Sequence, residues 1–398
     1  MRAQFPNSGE TKTIEGGAGR ITDPVKRLRF LRTQMSEVSP PPFVLSASPS
    51  PKKLRHRFGG LRQFAWLMLP VMMGFATGPA PNGTAETFAL ERRLLVPSAD
   101  PGVTAIAPVP HVWRVERSET TEVYSNGLRI DLTFVTPNRP RARYPIYSLA
   151  GASSPAKYGT APIGIVFHTT ESLVAPFEED ENRRLKQLSR NLLEVIRQKR
   201  AYHYLIDRFG RVFAVVAESD AADHVGNSVW ADADGIYVNL NDSFLGVSFE
   251  GQTGATDEVT PAQIQSARVL TEALRSRYGI AAENCVTHAQ VSVNPLNMRI
   301  GAHTDWGSKF PFTALGLPNN YAVPLASVYA FGFDYDGAYV QATGMGLSGL
   351  ALAVEQVEKQ AAGERVPVAQ YRAMLQHRYK DITAALQEQH KEQSEGGN

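Results

Sequence analysis

Two histidines of this sequence each follow a short apolar run that is typical of a buried strand. His168 ends IGIVFH (163–168), and His288 ends NCVTH (284–288). A side chain at the end of a strand faces the rim of a sheet, and two imidazoles with one carboxylate form a zinc site that leaves the fourth position to water. Asp305, 17 residues after His288 (305 − 288), is the natural third ligand. On residue types alone, a single strand-end histidine is more often a satisfied core or rim residue.

The elements that must position these residues alternate between strands and helices. An amphipathic helix is predicted over residues 178–199, and a second helix has Thr260 as its N-cap and Gly279 as its C-terminal stop. Further strands are predicted in YHYLID and RVFAVV, which a hairpin loop at 207–210 joins, and in SFLGVSFEG (243–251). This alternation predicts an α/β fold.

The segments on either side of this core differ in composition. Residues 1–51 are rich in Pro, Ser, Arg and Gly and are predicted to be disordered. Residues 52–85 combine a basic stretch, an apolar stretch of about 15 residues and small residues, which predicts a signal peptide, with an uncleaved membrane anchor as the alternative. Residues 86–150 are predicted as a linker and a small β-module or β-extension, 151–325 as the α/β domain, and 326–398 as a C-terminal helical extension.

Bulk composition argues against one class of function. The chain has 41 Lys and Arg against 39 Asp and Glu, a net charge of +2, whereas nucleic-acid-binding proteins usually show a strong basic excess. The single cysteine, Cys285, excludes an intrachain disulfide and is interpreted as a small buried apolar residue. The sequence leaves the oligomeric state open.

The order of the motifs resembles that of the zinc-dependent N-acetylmuramoyl-L-alanine amidases of type 2, which share a fold with the peptidoglycan recognition proteins. The matching pieces lie between residues 164 and 312 and are GIVFHTTES, YHYLIDRFGRVF, HVGNS, LGVSFEG, the TPAQ helix, VTHAQV and HTDWGSKFPF. The resemblance implies a mixed central β-sheet flanked by helices, with an N-terminal β-module and a C-terminal helical segment added. It assigns zinc to His168, His288 and Asp305.

The resemblance also implies an activity. The family hydrolyses the amide bond between N-acetylmuramic acid and L-alanine, with the glycan strand and stem peptide of peptidoglycan in a groove beside the zinc. The predicted signal peptide fits such a substrate, so a periplasmic, cell-envelope or extracellular protein is expected.

Two positions depart from the family's pattern. Where relatives typically have Lys two residues before the last ligand, this chain has His303, which can donate the same hydrogen bond to the transition state; a surface-loop histidine is the alternative. Where many relatives have a catalytic Glu, this chain has Ser248. Strand alternation places Glu250 on the same face, so Glu250 is the first candidate for the general base and Glu171 the second. The alternative for Glu250 is a structural carboxylate.

Four further residues receive roles from their motifs. Tyr202 matches a tyrosine near the metal of some relatives and is predicted to be catalytic, whereas the adjacent His203 is interpreted as structural. His224 matches a groove-lining histidine and is predicted to contact substrate. Trp230 is predicted either to stack on a sugar or to pack in the core.

Three functions compete on this evidence. The first is an exported zinc amidase, the second a recognition module of the same fold that binds peptidoglycan without cutting it, and the third a wall-anchored structural or partner-binding protein. Non-cutting relatives usually lose a zinc ligand. Because this chain keeps all three, the sequence favours the enzyme.

Overall fold

A computed structural model describes residues 109–253, 259–335, 337–343 and 348–395, which all belong to one compact unit, Thr87–Asn398. The segments predicted as disordered (1–51) and as a signal peptide or anchor (52–85) lie outside the described residues, as does the first part of the predicted linker. No helix within the described ranges combines the length and the hydropathy that a membrane crossing requires.

The described residues form strands in the first two thirds of the unit and helices mainly in the last third. The strands are β1 (Arg114–Arg117), β2 (Thr121–Tyr124), β3 (Arg129–Asp131), β4 (Tyr144–Tyr147), β5 (Pro155–Gly159), β6 (Gly164–Thr169), β7 (Tyr204–Ile206), β8 (Val212–Ala214), β9 (Val229–Asp232), β10 (Gly235–Val238), β11 (Phe244–Phe249), β12 (Cys285–Thr287), β13 (Val293–Asn294) and β14 (Arg299–Ile300). The helices are α1 (Asn182–Lys199), α2 (Pro261–Tyr278), α3 (His288–Val291), α4 (Ala326–Phe331), α5 (Gly337–Thr343), α6 (Ser348–Gly363) and α7 (Val368–Glu395).

The central sheet has eight strands in the order β1-β2-β3-β8-β7-β11-β6-β12 and is mixed. Strand β6 lies between β11 and β12 and runs parallel to both. The carboxyl ends of these three strands therefore lie at one edge of the sheet, where α/β proteins bind ligands. Two smaller antiparallel sheets have the orders β5-β4-β10-β9 and β13-β14.

Helices cover both faces of the central sheet. In β6, Ile165 and Phe167 belong to one core cluster, which includes Leu270 of α2, and Val166 belongs to another. Along β7, Leu205 packs in a third cluster with residues of α1. Burial on both faces explains why these strands read as continuous apolar runs. The predicted α/β fold, a mixed sheet flanked by helices, is confirmed.

Helix α2 begins and ends where its sequence predicts. The Thr260 hydroxyl accepts a hydrogen bond from the backbone N–H of Gln263, and the Gln263 side chain accepts one from the N–H of Thr260. This reciprocal cap satisfies two N–H groups that the helix leaves free. Gly279 ends the helix with φ 67°, a conformation that costs glycine little.

The segments outside the predicted α/β domain pack closely on it. Strand β3 pairs in parallel with β8, so β1–β3 continue the central sheet as an extension instead of forming a separate module. At the other end, Tyr379 of α7 packs against Phe331 and Phe333, and Arg378 donates hydrogen bonds to the carbonyls of Ser148 and Ala152. The domain boundaries at 150 and 325 remain predictions.

Candidate metal centre

Parallel pairing brings two histidines together at the edge of the sheet. His168 lies near the carboxyl end of β6, opposite Ser248 of β11. Thr287 is opposite Phe167, so the next residue, His288, lies level with His168. The sequence prediction made His288 the last residue of a strand, whereas it is the first residue of α3. The two imidazole centroids are 4.6 Å apart.

Asp305 completes the cluster from a loop beyond α3. One of its carboxylate oxygens lies 3.3 Å from Nδ1 of His168, and the other lies 2.9 Å from Nδ1 of His288. All three side chains are buried, and one candidate ligand atom from each lies within 4.8 Å of the others. The loop is held by Trp306, whose backbone N–H donates to Thr253 and whose ring packs on Phe310.

The protonation of the cluster suits a divalent cation. Burial raises the pKa of Asp305, but its hydrogen bonds with His168 and His288 outweigh that effect and hold the pKa well below its usual range. Burial and the neighbouring His288 lower the pKa of His168 to about 4. His288 Nε2 is buried without a hydrogen-bond partner among the described residues. A carboxylate and neutral imidazoles are ligands that zinc takes, so the residues fit this metal.

His224, on the cavity side, contacts His168 of the cluster. Its Nδ1 lies 3.0 Å from Nε2 of His168, the nitrogen that does not face Asp305. Such a contact fixes the tautomer and orientation of a metal-binding imidazole. A Cβ atom on Gly246 would lie 2.6 Å from Cγ of His224, so the close approach of this ring to β11 requires glycine.

His203 is held in its neutral form. Its Nδ1 accepts a hydrogen bond from the backbone N–H of Gly246, so the proton lies on Nε2, 3.1 Å from the carbonyl oxygen of Asp220. Burial, and then the charge of Arg141, lower the pKa of His203 to about 3. These contacts match the structural role that the sequence suggested.

Acid is expected to destabilise the fold through these histidines. An unfolded chain binds a proton at each near pH 6.5, whereas the folded, metal-free chain binds them only near pH 4 for His168 and pH 3 for His203. Their stabilising effect is therefore present above pH 6.5 and is lost as the pH falls through this window. The slope is about 1.4 kcal/mol per pH unit for each histidine.

Thermal unfolding followed by circular dichroism from pH 7 to pH 4 measures this effect. His203→Gln removes one titrating group and is expected to flatten the slope. The matched control is His377→Gln on α7, because the His377 side chain is 79% exposed. A melting temperature that stays constant across the window would contradict the prediction.

The cluster opens into a cavity of about 460 Å³. Its lining includes six of the nine residues with predicted site roles, namely Glu171, Tyr202, His224, His288, His303 and Asp305, together with Asp223 and Asn241. His168 lies behind them and contacts Asp305 and His224. The cavity thus brings most of the predicted site residues together.

Three cavity residues can exchange protons or donate hydrogen bonds. The ring of Tyr202 lies 5.0 Å from that of His168, and burial, reinforced by the charge of Asp305, raises its pKa to about 12. His303 stacks on His288 at 4.4 Å. Glu171 has φ 47° and Tyr202 φ 62°, and such uncommon backbone conformations concentrate at functional sites.

The carboxylate of Glu171 is held in place by its own neighbours. Its Oε1 accepts hydrogen bonds from the hydroxyls of Thr169 and Thr253, both at 2.5 Å, and from the backbone N–H of Thr253 at 2.9 Å. The second oxygen, Oε2, accepts no hydrogen bond from any residue that the structure describes. A carboxylate fixed at one oxygen in this way is well placed to act as a base with the other.

Two residues with predicted site roles lie elsewhere. Glu250 does not line the cavity, since its Oε2 accepts hydrogen bonds from the Ser189 hydroxyl of α1 and the backbone N–H of Arg208. The alternation of side chains along a strand puts Glu250 on the same side of the sheet as Ser248, as predicted. Helix α1, however, covers that side of the sheet at Glu250. Trp230 is 1% exposed and donates from Nε1 to Asn284, so it packs in the core.

Two residues that shape the site carry no motif signal as clear as the histidines do. Asn241 accepts hydrogen bonds through Oδ1 from the backbone N–H groups of His224 and Val225 and so fixes this part of the cavity wall. Gly246 provides the space for His224. The glycine inside the strand motif LGVSFEG was the available signal for a close approach.

Comparison with known proteins gives a family for part of the chain. Residues 158–308 match the family of N-acetylmuramoyl-L-alanine amidases. No curated protein matches the chain.

Several solved structures are similar to it. One is AmpDh3 from Pseudomonas aeruginosa in complex with anhydromuramic pentapeptide, with 23% identity over 42% of this chain and 64% of that chain, less than two thirds of its length, and a TM-score of 0.31. Another is the N-acetylmuramyl-L-alanine amidase AmiD from E. coli with the substrate anhydro-N-acetylmuramic acid-L-Ala-D-gamma-Glu-L-Lys, with 22% identity over 52% of this chain and 92% of that chain and a TM-score of 0.34. The Drosophila peptidoglycan recognition protein SD has 18% identity over 40% of this chain and 85% of that chain, with a TM-score of 0.24. Residues 158–308 thus match the N-acetylmuramoyl-L-alanine amidase family, which confirms the resemblance to the type 2 amidases that the motif order predicted.

Proposed function

We propose that this protein is a zinc-dependent amidase that hydrolyses the bond between N-acetylmuramic acid and L-alanine in peptidoglycan. The observation that carries the proposal is the carboxylate of Asp305, buried between His168 and His288 at the wall of an open cavity. The family match over residues 158–308 supports the reaction class.

His168, His288 and Asp305 would hold the zinc ion. When bound, zinc supplies a water of lowered pKa and polarises the carbonyl of the scissile amide. The chain contributes the surroundings, because the contact between His224 and His168 fixes the orientation of one ligand.

The remaining cavity residues would act as a general base and as hydrogen-bond donors. We assign the general base to Glu171, since its Oε1 is already bound and its Oε2 is left to take a proton. Tyr202, with a pKa raised to about 12, is protonated at neutral pH, as an ordinary tyrosine is, so its hydroxyl can donate a hydrogen bond to the developing oxyanion. His303 is a second donor at the same wall.

The proposal includes export of the protein to the cell envelope. The substrate lies in the cell wall, and residues 52–85 have the composition of a signal peptide. A retained apolar segment would instead tether the domain to the membrane. The glycan strand and stem peptide are the expected partners.

Digestion of purified peptidoglycan, followed by mass spectrometry of the products, tests the activity. We expect free stem peptides that begin with L-alanine, one zinc ion per chain by elemental analysis, loss of the products with a chelator, and recovery after zinc is added back. Zinc-loaded protein that sediments with peptidoglycan but releases no peptide would overturn the enzyme in favour of the recognition module.

A further inference from the structure

A second cavity adjoins the one at the metal centre. It has a volume of about 320 Å³ and shares Gly226 and Asn241 with the first cavity. One of its walls is formed by Leu386 and Gln389 of α7. Since α7 lies beyond residues 158–308, the C-terminal helix adds a surface that the matched amidase segment does not contain.

The lining of the second cavity includes an arginine, Arg143, that has no counterion among the described residues. Arg139 is neutralised by Asp242, with N–O distances of 2.6 and 2.9 Å. Arg143 forms no ion pair within the described parts of the chain, and its guanidinium carbon lies 4.3 Å above the ring of Tyr158. Stacking holds the planar guanidinium in one orientation, which lowers the entropy cost of binding a carboxylate with two hydrogen bonds.

The first cavity has the opposite charge. Glu171 and Asp223 lie on its lining, together with Asp305, whose charge the proposed zinc ion would offset. An anionic group on a bound ligand is repelled from Glu171 and Asp223 and attracted towards Arg143. At the boundary, Asn241 uses its Oδ1 for the N–H groups of His224 and Val225, which leaves its amide N–H₂ as a donor.

We propose that the second cavity binds a carboxylate of the stem peptide, with Arg143 as its cation and α7 as one wall. The inference rests on the proposed function and adds a specificity subsite to it. The stem peptide carries free carboxylates, whereas the sugars of the glycan are uncharged, so the charge of Arg143 selects the peptide. Leu386 and Val238 provide an apolar surface for its aliphatic parts.

Calorimetry with the free tripeptide L-Ala-D-γ-Glu-L-Lys measures binding without turnover. We expect Arg143→Gln to weaken binding about tenfold, the usual scale for one charge-assisted contact. The same tripeptide with carboxamides in place of its carboxylates should bind the unmodified protein with a similar loss. Gln389→Trp, which fills the cavity from α7, should also weaken binding, whereas Gln389→Ala should not.

The matched control is Arg190→Gln, because Arg190 is an exposed arginine of α1, away from both cavities. Circular dichroism of each variant checks its fold. Equal affinity of the unmodified protein and Arg143→Gln for the tripeptide would overturn the subsite, and so would equal affinity for the carboxylate and carboxamide forms. Since no bond is cut in this assay, a failure of the subsite is distinguishable from a failure of the hydrolase, which the digestion experiment reports separately.

Discussion

Replacement of Asp305 by alanine is expected to abolish zinc binding and to lower peptidoglycan hydrolysis by a factor on the order of 10³ or more. Among the described residues, Asp305 is the carboxylate that contacts both His168 and His288. Its loss leaves two buried imidazoles without the anion that balances a bound cation. Zinc content by elemental analysis and the rate of peptide release measure the two effects.

The matched control for this variant is Asp234→Ala. Asp234 is also paired, with Lys157 at 2.7 Å, but its side chain is 70% exposed. Surface pairs of this kind contribute little to stability, so this variant should keep both zinc and activity. If Asp305→Ala retained one zinc per chain and full activity, Asp305 would have to be removed from the site.

Glu171→Gln is expected to leave zinc bound and to lower kcat by about 10²- to 10⁴-fold, the usual contribution of a general base. Glutamine keeps an acceptor for the hydrogen bonds from Thr169 and Thr253, so the loop should hold its conformation. The lost property is the ability of the carboxylate to take a proton. Steady-state kinetics on a soluble muropeptide, with zinc content measured in parallel, separate the two effects.

Glu250→Gln provides the comparison, because Glu250 is a carboxylate at the same edge of the sheet that binds Ser189 and Arg208 instead of lining the cavity. We expect it to reduce stability by about 1–3 kcal/mol, since a buried charged acceptor is lost, and to change kcat little. The reverse pattern, a slow Glu250→Gln and an active Glu171→Gln, would return the base to Glu250.

Much of the fold could be predicted from local sequence. The caps at Thr260 and Gly279 fix the ends of α2, and the apolar run before His168 identifies a strand with two buried faces. That the two histidines meet also follows from general rules, because parallel strands present their carboxyl ends at one edge. The position of Asp305 could be predicted only from the order of the motifs, because a loop has no periodic pattern of residues.

Other features depend on contacts between distant segments. Alternation places Glu250 on a face of β11, but it does not show that α1 covers that face at Ser189. The pairing of β3 with β8 and the contact between His224 and His168 likewise join segments that no local pattern connects. The wall that α7 adds to the second cavity belongs to the same class of feature.

The position of β6 in the sheet also sets an order of assembly. His168 precedes His288 by 120 residues (288 − 168) and Asp305 by 137 (305 − 168), and β6 becomes an interior strand only after β11 and β12 have paired on both sides of it. A nascent chain therefore cannot complete the cluster until translation has passed residue 305. Metal binding at this cluster would therefore require the pairing of β6 with β11 and β12, and a chain that crosses a membrane unfolded would acquire the ion on the far side.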